Sequence, residues 1–171
     1  MAADVQTQIV ALLPRLRRFA RGLAGSSADA DDLVQGACER ALRAIDTWER
    51  GTRLDSWMFR IVHNLWIDTL RRKRPEPGID VSELDIAGDD GRTAEASLEL
   101  AQVRTAIAAL PEQHRDVLVL VCIEDLTYRE AAVVLQVPVG TVMSRLARAR
   151  KALAAALEPA DGNRLMKAEG V

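Results

Sequence analysis

The sequence predicts an all-α protein of two small helical domains joined by an acidic linker, the second domain holding a helix-turn-helix. Three observations predict it. Apolar residues recur at three- and four-residue steps along most of the 171 residues, and strand-type alternation is hard to find. The chain is 49% hydrophobic but only 4% aromatic, and it is rich in Ala, Leu and Arg, which favours helices. Residues 76–99 hold eight acids (Glu76, Asp80, Glu83, Asp85, Asp89, Asp90, Glu95, Glu99) against one base, Arg92. That segment accounts for the net charge of −2, because the remainder carries 17 acids and 22 bases, a net +5. A basic character therefore lies on either side of an acidic middle.

The first domain is expected over 5–75. Its first helix, 5–24, is marked by Val5, Ile9, Leu12, Leu13, Leu16, Phe19, Ala20 and Leu23. Ser26 or Ser27 can cap the next helix, and Asp29, Asp31 and Asp32 suit its positive N-terminal dipole. That helix is expected to run to about Ile45 through Leu33, Val34, Ala37, Cys38, Ala41 and Leu42. A loop over 46–53 precedes a long helix over roughly 54–73, with Trp57, Phe59, Ile61, Val62, Leu65, Trp66 and Leu70 as its apolar content. It ends in Arg71, Arg72, Lys73 and Arg74. Cations at a helix C-terminus suit the dipole, but four in a row exceed what a helix end needs.

The stretch 76–92 carries Pro, Gly and acids without helical period and reads as the linker. It is either a plain tether or an acidic strand that occupies a basic channel in a partner. The second domain is expected over 93–157, with one helix at about 94–109 and another opened by Pro111. The polar end, 158–171, is expected to be a disordered tail.

Residues 127–151 are the most informative stretch. Thr127 and Glu130 form a T-x-x-E capping box. Ala131, Ala132 and Leu135 give a small apolar face that another helix can cross closely. Pro138 ends one helix and suits the start of the next. Val139, Val142, Leu146, Ala149 and Leu153 then form a stripe for burial. Residues 140–155 carry Arg145, Arg148, Arg150 and Lys151 and no acid. A tight turn followed by a basic second helix places a recognition helix in the DNA major groove. The plain alternative is a solvated basic face on an ordinary helical hairpin.

Several classes are excluded or demoted. No run of about 18 apolar residues predicts membrane insertion, and the N-terminus lacks a signal-peptide pattern. Cys38 and Cys122 read as reduced core residues of a cytoplasmic protein. With His63 and His114 they show no ligand spacing, so neither metal nor cofactor is expected. No nucleophile–base pair or phosphate loop suggests an enzyme.

Three segments in order carry a resemblance: 29–42 (DADDLVQGACERAL), 56–75 (SWMFRIVHNLWIDTLRRKRP) and 110–153. Together they resemble bacterial RNA polymerase sigma factors of the extracytoplasmic-function (ECF) group, within the sigma-70 family. The resemblance covers roughly residues 8–157. It implies a promoter-specificity subunit that binds core RNA polymerase and promoter DNA, in a stress or envelope response, with an anti-sigma factor as a further partner. Asp31, Asp32, Leu33, Val34 and Gln35 match the segment that docks on the polymerase. The loop and long helix match the part that melts and reads the −10 element, with Trp48 and Asn64 at base-contacting positions. Trp48 stacks on a base or serves as a core lid. Arg60, Arg71, Arg72, Lys73 and Arg74 would neutralise phosphates. In the −35 reader, Met143, Ser144, Ala147 and Arg148 match base-facing positions, with Arg148 suited to a guanine. Thr127, Tyr128, Arg129 and Thr141 suit phosphate contact near helix starts. Arg145 binds phosphate or pairs within the domain. Met143 stands where the family often has Lys or Arg. Gln136 stands where Gly is frequent, a steric cost if its φ is positive. A stand-alone DNA-binding regulator would explain 127–151 but neither the match at 29–42 nor the basic run at 71–74.

Overall fold

The computed structural model describes residues 2–24, 26–49, 51–73 and 94–158. The expected linker, Arg74 and the C-terminal tail beyond 158 lie outside the described residues. The regular structure among the described residues is all helical, with no strand among them. The helices are α1 (Ala2–Ala24), α2 (Ser27–Arg43), α3 (Leu54–Lys73), α4 (Ala94–Ala108), α5 (Glu112–Leu118), α6 (Tyr128–Leu135) and α7 (Val139–Leu157).

The first three helices pack on one another. Leu16, Phe19 and Ala20 of α1 meet Val34, Ala37 and Ala41 of α2 and Met58, Phe59 and Val62 of α3 in the buried core. The Phe19 and Phe59 rings meet edge to face, 5.2 Å between centroids and 80° between planes, a favoured aromatic geometry. Pro14 lies inside α1 on its exposed side. The carbonyl it leaves without a helical donor, that of Val10, therefore faces solvent. Ser26 is the cap of α2, its hydroxyl accepting from the Asp29 N–H at 3.1 Å. Helix α2 stops at Arg43, and Ile45 opens a short 3-10 turn, Ile45–Thr47.

In the second half, α7 packs against α4, α5 and α6. Val142, Leu146 and Ala149 are its buried stripe, with Leu153 half-buried. Val139, expected on that stripe, is 37% exposed because it sits at the helix mouth. The capping box of α6 is complete: Thr127 Oγ1 accepts from the Glu130 N–H, and Glu130 Oε2 accepts from the Thr127 N–H at 2.8 Å. Helix α5 runs into a π turn, Val119–Ile123, followed by Asp125 at φ 57°.

That wide turn overturns one expectation. Cys122 is exposed rather than in the core, whereas Cys38 is half-buried and packs against it. A π turn advances the helix by more than one ordinary residue step, so the 3.6-residue phase that would bury Cys122 is lost. Arg150 Nη2 sits 3.7 Å from its sulfur.

The two halves share one continuous hydrophobic cluster. Helix α3 lies against α6, and α1 lies against α5 and the π turn. Gly22 of α1 lies against Val119, where a Cβ would sit 3.4 Å from Val119 Cγ2, an ordinary van der Waals contact.

Candidate nucleic-acid interface

The outer face of α7 follows from its buried stripe. With Val142, Leu146 and Ala149 turned inward, Met143, Ser144, Ala147, Arg148 and Lys151 fall on the opposite side and are exposed. Met143 is 52% exposed. Ser144 Oγ donates to the Thr141 carbonyl at 3.1 Å, so its hydroxyl oxygen keeps acceptor capacity outward. Arg145 differs from its neighbours. It is half-buried and its charge acts on Asp116 of α5, which favours pairing within the domain over phosphate contact.

Tyr128 and Arg129 are exposed at the start of α6. Thr127 is occupied, since its hydroxyl donates to Glu130 Oε2 at 2.8 Å. The turn between α6 and α7 centres on Gln136, at φ 55° and ψ 44°. This is the left-handed conformation, where glycine carries no steric cost and glutamine does. The side chain supplies a reason: Gln136 Nε2 donates to Asn64 Oδ1 at 2.7 Å.

The face that the resemblance matches to −10 contact lies on α3. Arg60, Asn64 and Arg71 recur at helical spacing, with Arg71 and Arg72 exposed and Arg60 and Asn64 half-buried. Lys73 ends the helix, and its side chain and Arg74 lie outside the described residues. Two clefts flank this face. One, of about 440 Å³, is lined by Trp48, Trp57, Arg60 and Arg53 from the first half and by Arg129 and Val133 from α6. The other, of about 510 Å³, holds His63, Asn64, Asp68 and Arg71 against Leu135 and Gln136. Trp48 is half-buried against the core, and its buried Nε1–H has no acceptor. Trp48 lines the cleft beside Trp57 and Arg60, which suits stacking on a base as well as a core lid. Trp57 is half-buried at the cleft wall. Trp66 is buried, and its Nε1 donates to Glu112 of α5 at 2.6 Å.

At the docking segment, Asp31, Asp32 and Gln35 are exposed. Leu33 and Val34 are not: they are 7% and 3% exposed within the core of their own half. Helical phase explains this, because Ala30, Leu33, Val34, Ala37 and Ala41 form a single inward stripe. The aliphatic contribution expected from Leu33 and Val34 thus supports the helix from within.

Between the halves lies a buried polar pair. His63 Nε2 of α3 is 3.9 Å from Asp116 Oδ2 of α5. Burial, with the Glu112 carboxylate nearby, pushes Asp116 up to about 7 against the pull of Arg115 and Arg145. Burial lowers the His63 imidazole, although Glu112 opposes it. Both shifts favour uncharged forms, so the contact is weaker than an ion pair.

Sequence patterns carry the same arrangement of parts. The sigma-70 region 2 family pattern matches residues 9–76, and the sigma-70 region 4 pattern matches residues 100–153. The chain belongs to the ECF group of RNA polymerase sigma factors. It is 37% identical to the ECF RNA polymerase sigma factor EcfG of Rhodopseudomonas palustris, over 90% of this chain and 85% of that protein. It is 35% identical to the ECF sigma factor SigW of Bacillus subtilis, over 75% of each. Among solved structures, the sigma factor RpoE of Bartonella quintana, in complex with the anti-sigma factor NepR, superposes with TM-score 0.80. That match covers 90% of this chain and 96% of the other at 26% identity. CnrH, in complex with the cytosolic domain of CnrY, superposes with TM-score 0.63 at 30% identity over 90% of each chain.

This sigma factor is a transcription initiation factor without catalysis of its own: it binds core RNA polymerase and directs initiation at promoters through −10 and −35 elements. No described helix is long and apolar enough to cross a membrane. Of the helix-turn-helix residues singled out from the sequence, Thr127, Tyr128, Arg129, Met143, Ser144, Ala147 and Arg148 are exposed, whereas Thr141 and Arg145 are half-buried. Sequence reasoning did not find Arg15, Arg18, Arg53 and Glu124, which bridge the halves. No local signal could have found them, because Arg15 and Glu124 are 109 positions apart.

Proposed function

We propose that this sigma factor reads the −35 element with Met143, Ser144, Ala147 and Arg148, and the −10 element with Trp48 and Asn64. Arg60, Arg71, Arg72, Lys73 and Arg74 neutralise phosphates around the −10 site; Tyr128, Arg129 and Thr141, with Thr127, hold the backbone near the −35 site. Asp31, Asp32 and Gln35 present the polar surface that meets core polymerase, positioned by Leu33 and Val34 beneath them. The domain carrying the −10 reader spans 5–75 and the one carrying the −35 reader spans 93–157.

One observation carries the reading: α7 buries one stripe and leaves Met143, Ser144, Ala147 and Arg148 together on its free face. A recognition helix needs that division, since only side chains off the packing stripe can reach base edges. The test uses reconstituted holoenzyme. Arg148→Ala should leave core affinity unchanged and relax discrimination at one −35 base pair, while Asp32→Lys should weaken core binding for every promoter. Equal effects of both substitutions on both readouts would sink the division of labour.

The factor works in the cytoplasm, in a stress or envelope response, under an anti-sigma factor. RpoE, structurally similar to this chain, is solved in complex with the anti-sigma factor NepR, which supports that expectation. Binding by a co-encoded partner that blocks core association would test it.

A further inference from the structure

We propose that the contact between α3 and α5 is a proton switch: the His63–Asp116 pair makes separation of the two halves a proton-releasing step, so that a rise in pH frees this sigma factor for core polymerase.

Two rungs cross from α3 to α5. His63 and Trp66 are three positions apart on α3, and Glu112 and Asp116 are four apart on α5, so each pair shares one face of its helix. In one rung Trp66 Nε1 donates to Glu112 Oε1 at 2.6 Å. The other sets His63 Nε2 3.9 Å from Asp116 Oδ2, beyond hydrogen-bond reach. His63 is 9% exposed and Asp116 5%. Among the described residues, neither His63 Nδ1 nor Asp116 Oδ1 has a hydrogen-bond partner. A charged carboxylate there would keep lone pairs that nothing satisfies, whereas the protonated acid and the neutral imidazole demand less.

The charges around the pair do not replace the missing partners. From α5, the Glu112 carboxylate opposes a negative charge on Asp116 and Arg115 favours it; from α7, Arg145 favours it too. Arg115 Nη1 is directed to the Ala108 carbonyl at 3.2 Å, and its buried Nε has no partner among the described residues. On the other side, His63 lines a cleft with Arg40 of α2 and with Asp68 and Arg71 of its own helix. Arg40 and Asp68 pair with each other at 3.4 Å. From α6 and the turn after it come only Leu135 and the uncharged Gln136. Helix α1, which also packs on α5, directs Arg15 and Arg18 to Glu124. Burial therefore prevails: it holds Asp116 up at about 7, with Glu112 in support, and keeps the His63 imidazole below its ordinary range.

Separation returns both side chains to water, where an aspartate titrates near about 4 and an imidazole near about 6.5. Asp116 holds its proton up to about pH 7 in the closed chain and not in the parted one. Its share of the contact is therefore present in acid and is lost as pH rises through about 7. His63 has the opposite sign. The parted chain protonates it more readily than the closed chain, so its share is lost in acid. In mildly acid solution the two oppose each other: the proton that Asp116 gives up is matched by one that His63 takes. Near neutral pH His63 stays uncharged in both states, and the Asp116 proton goes to water. Separation is thus favoured as pH rises through neutrality. A factor that reads two separate promoter elements works with its halves apart, so core binding carries the proton release with it.

The switch needs no assignment of DNA-contacting residues. Titration calorimetry of the full chain with core polymerase at pH 7, in buffers of different ionisation heat, counts the protons directly. Wild type should release about half a proton more than Asp116→Asn, since a group at its midpoint is half protonated. Equal counts for the two proteins would overturn the switch. A second measurement follows the rate of association with core between pH 6 and pH 8. Each rate is divided by that of His63→Gln/Asp116→Asn at the same pH, which removes the polymerase's own pH dependence. Wild type should quicken a few-fold with rising pH. His63→Gln, which lacks the opposing imidazole, should quicken about tenfold, and Asp116→Asn should slow. Flat ratios, or an Asp116→Asn ratio that rises like wild type, would sink the idea. Should Asp116→Asn lose its helix content, His63→Gln still decides: a rise steeper than wild type supports the switch, and an equal or shallower one overturns it.

Discussion

The two proposed DNA-reading faces of this sigma factor differ in exposure. The proposed −35 face of α7 is open: Arg148 is exposed, with no hydrogen bond or ion pair to the described residues, and Met143 is 52% exposed. The −10 face of α3 is half-buried, and Asn64 is already hydrogen-bonded to Gln136. The contrast teaches that exposure is not a property of the reading residue alone. A recognition helix is exposed by its own periodicity, whereas a base-capture face can be covered by another part of the same chain.

The most disruptive test concerns the shared core. Phe59 is fully buried, meets Phe19, and lies 5.3 Å beneath the Arg15 guanidinium carbon. Phe59→Ala should cost about 3–5 kcal/mol. Because the hydrophobic cluster runs through both halves, calorimetry should show one transition moving down. Two transitions, with the second half unmoved, would break the comparison by making the halves energetically independent.

The exposed face gives the next largest effect. Arg148→Ala should lower discrimination at its base pair by about 1–3 kcal/mol with thermal stability unchanged. Loss of stability instead would mean that Arg148 packs rather than reads.

Between the halves, Asp116 makes the contact pH-dependent. Its folded pKa, about 7, lies above the ordinary carboxylate value, so its contribution is complete at low pH and is lost as pH rises through about 7. His63 acts in the opposite sense. Its lowered pKa gives a contribution present above the ordinary imidazole range and lost in acid. Asp116→Asn, which resembles the protonated acid, should therefore be more stable than wild type above pH 7, by about 1–2 kcal/mol. Melting curves at pH 5.5 and 8.5 check this; a gain only at the lower pH would contradict the sign. Asp55 follows the other rule. Burial alone would raise its carboxyl, but Arg53, Arg15 and the Ser56 N–H outweigh it and hold it at about 2. Its contribution is thus present throughout the range of that experiment.

Gln136→Gly should have the smallest effect. It removes a left-handed strain of about 1–2 kcal/mol, offset by loss of a hydrogen bond worth about 0.5–1.5 kcal/mol and by about 0.5–1 kcal/mol for the extra unfolded-state freedom of glycine. The expected change in thermal midpoint is near zero, with easier opening of the α3 cleft in hydrogen exchange. A large destabilisation would assign Gln136 a greater share of closure than one hydrogen bond gives.

Much of this molecule was legible in the sequence. The capping box at Thr127, the cap at Ser26, and the buried stripes of α2 and α7 are local patterns, and local geometry enforces them. Cys122 was misread as a core residue because a π turn breaks helical phase. Leu33 and Val34, which the resemblance matches to the docking segment, lie in the core because the phase of α2 points them inward.

By itself the sequence determined the helices, the two-part sigma architecture and the side of α7 left exposed, because each depends on residues within a few positions of one another. Only the tertiary structure decided that Glu124 is buried, that Gln136 covers Asn64, and that the halves close on a shared core. Those facts join side chains 72 to 109 positions apart. Charge and burial at such separations are set by packing, which no local periodicity records.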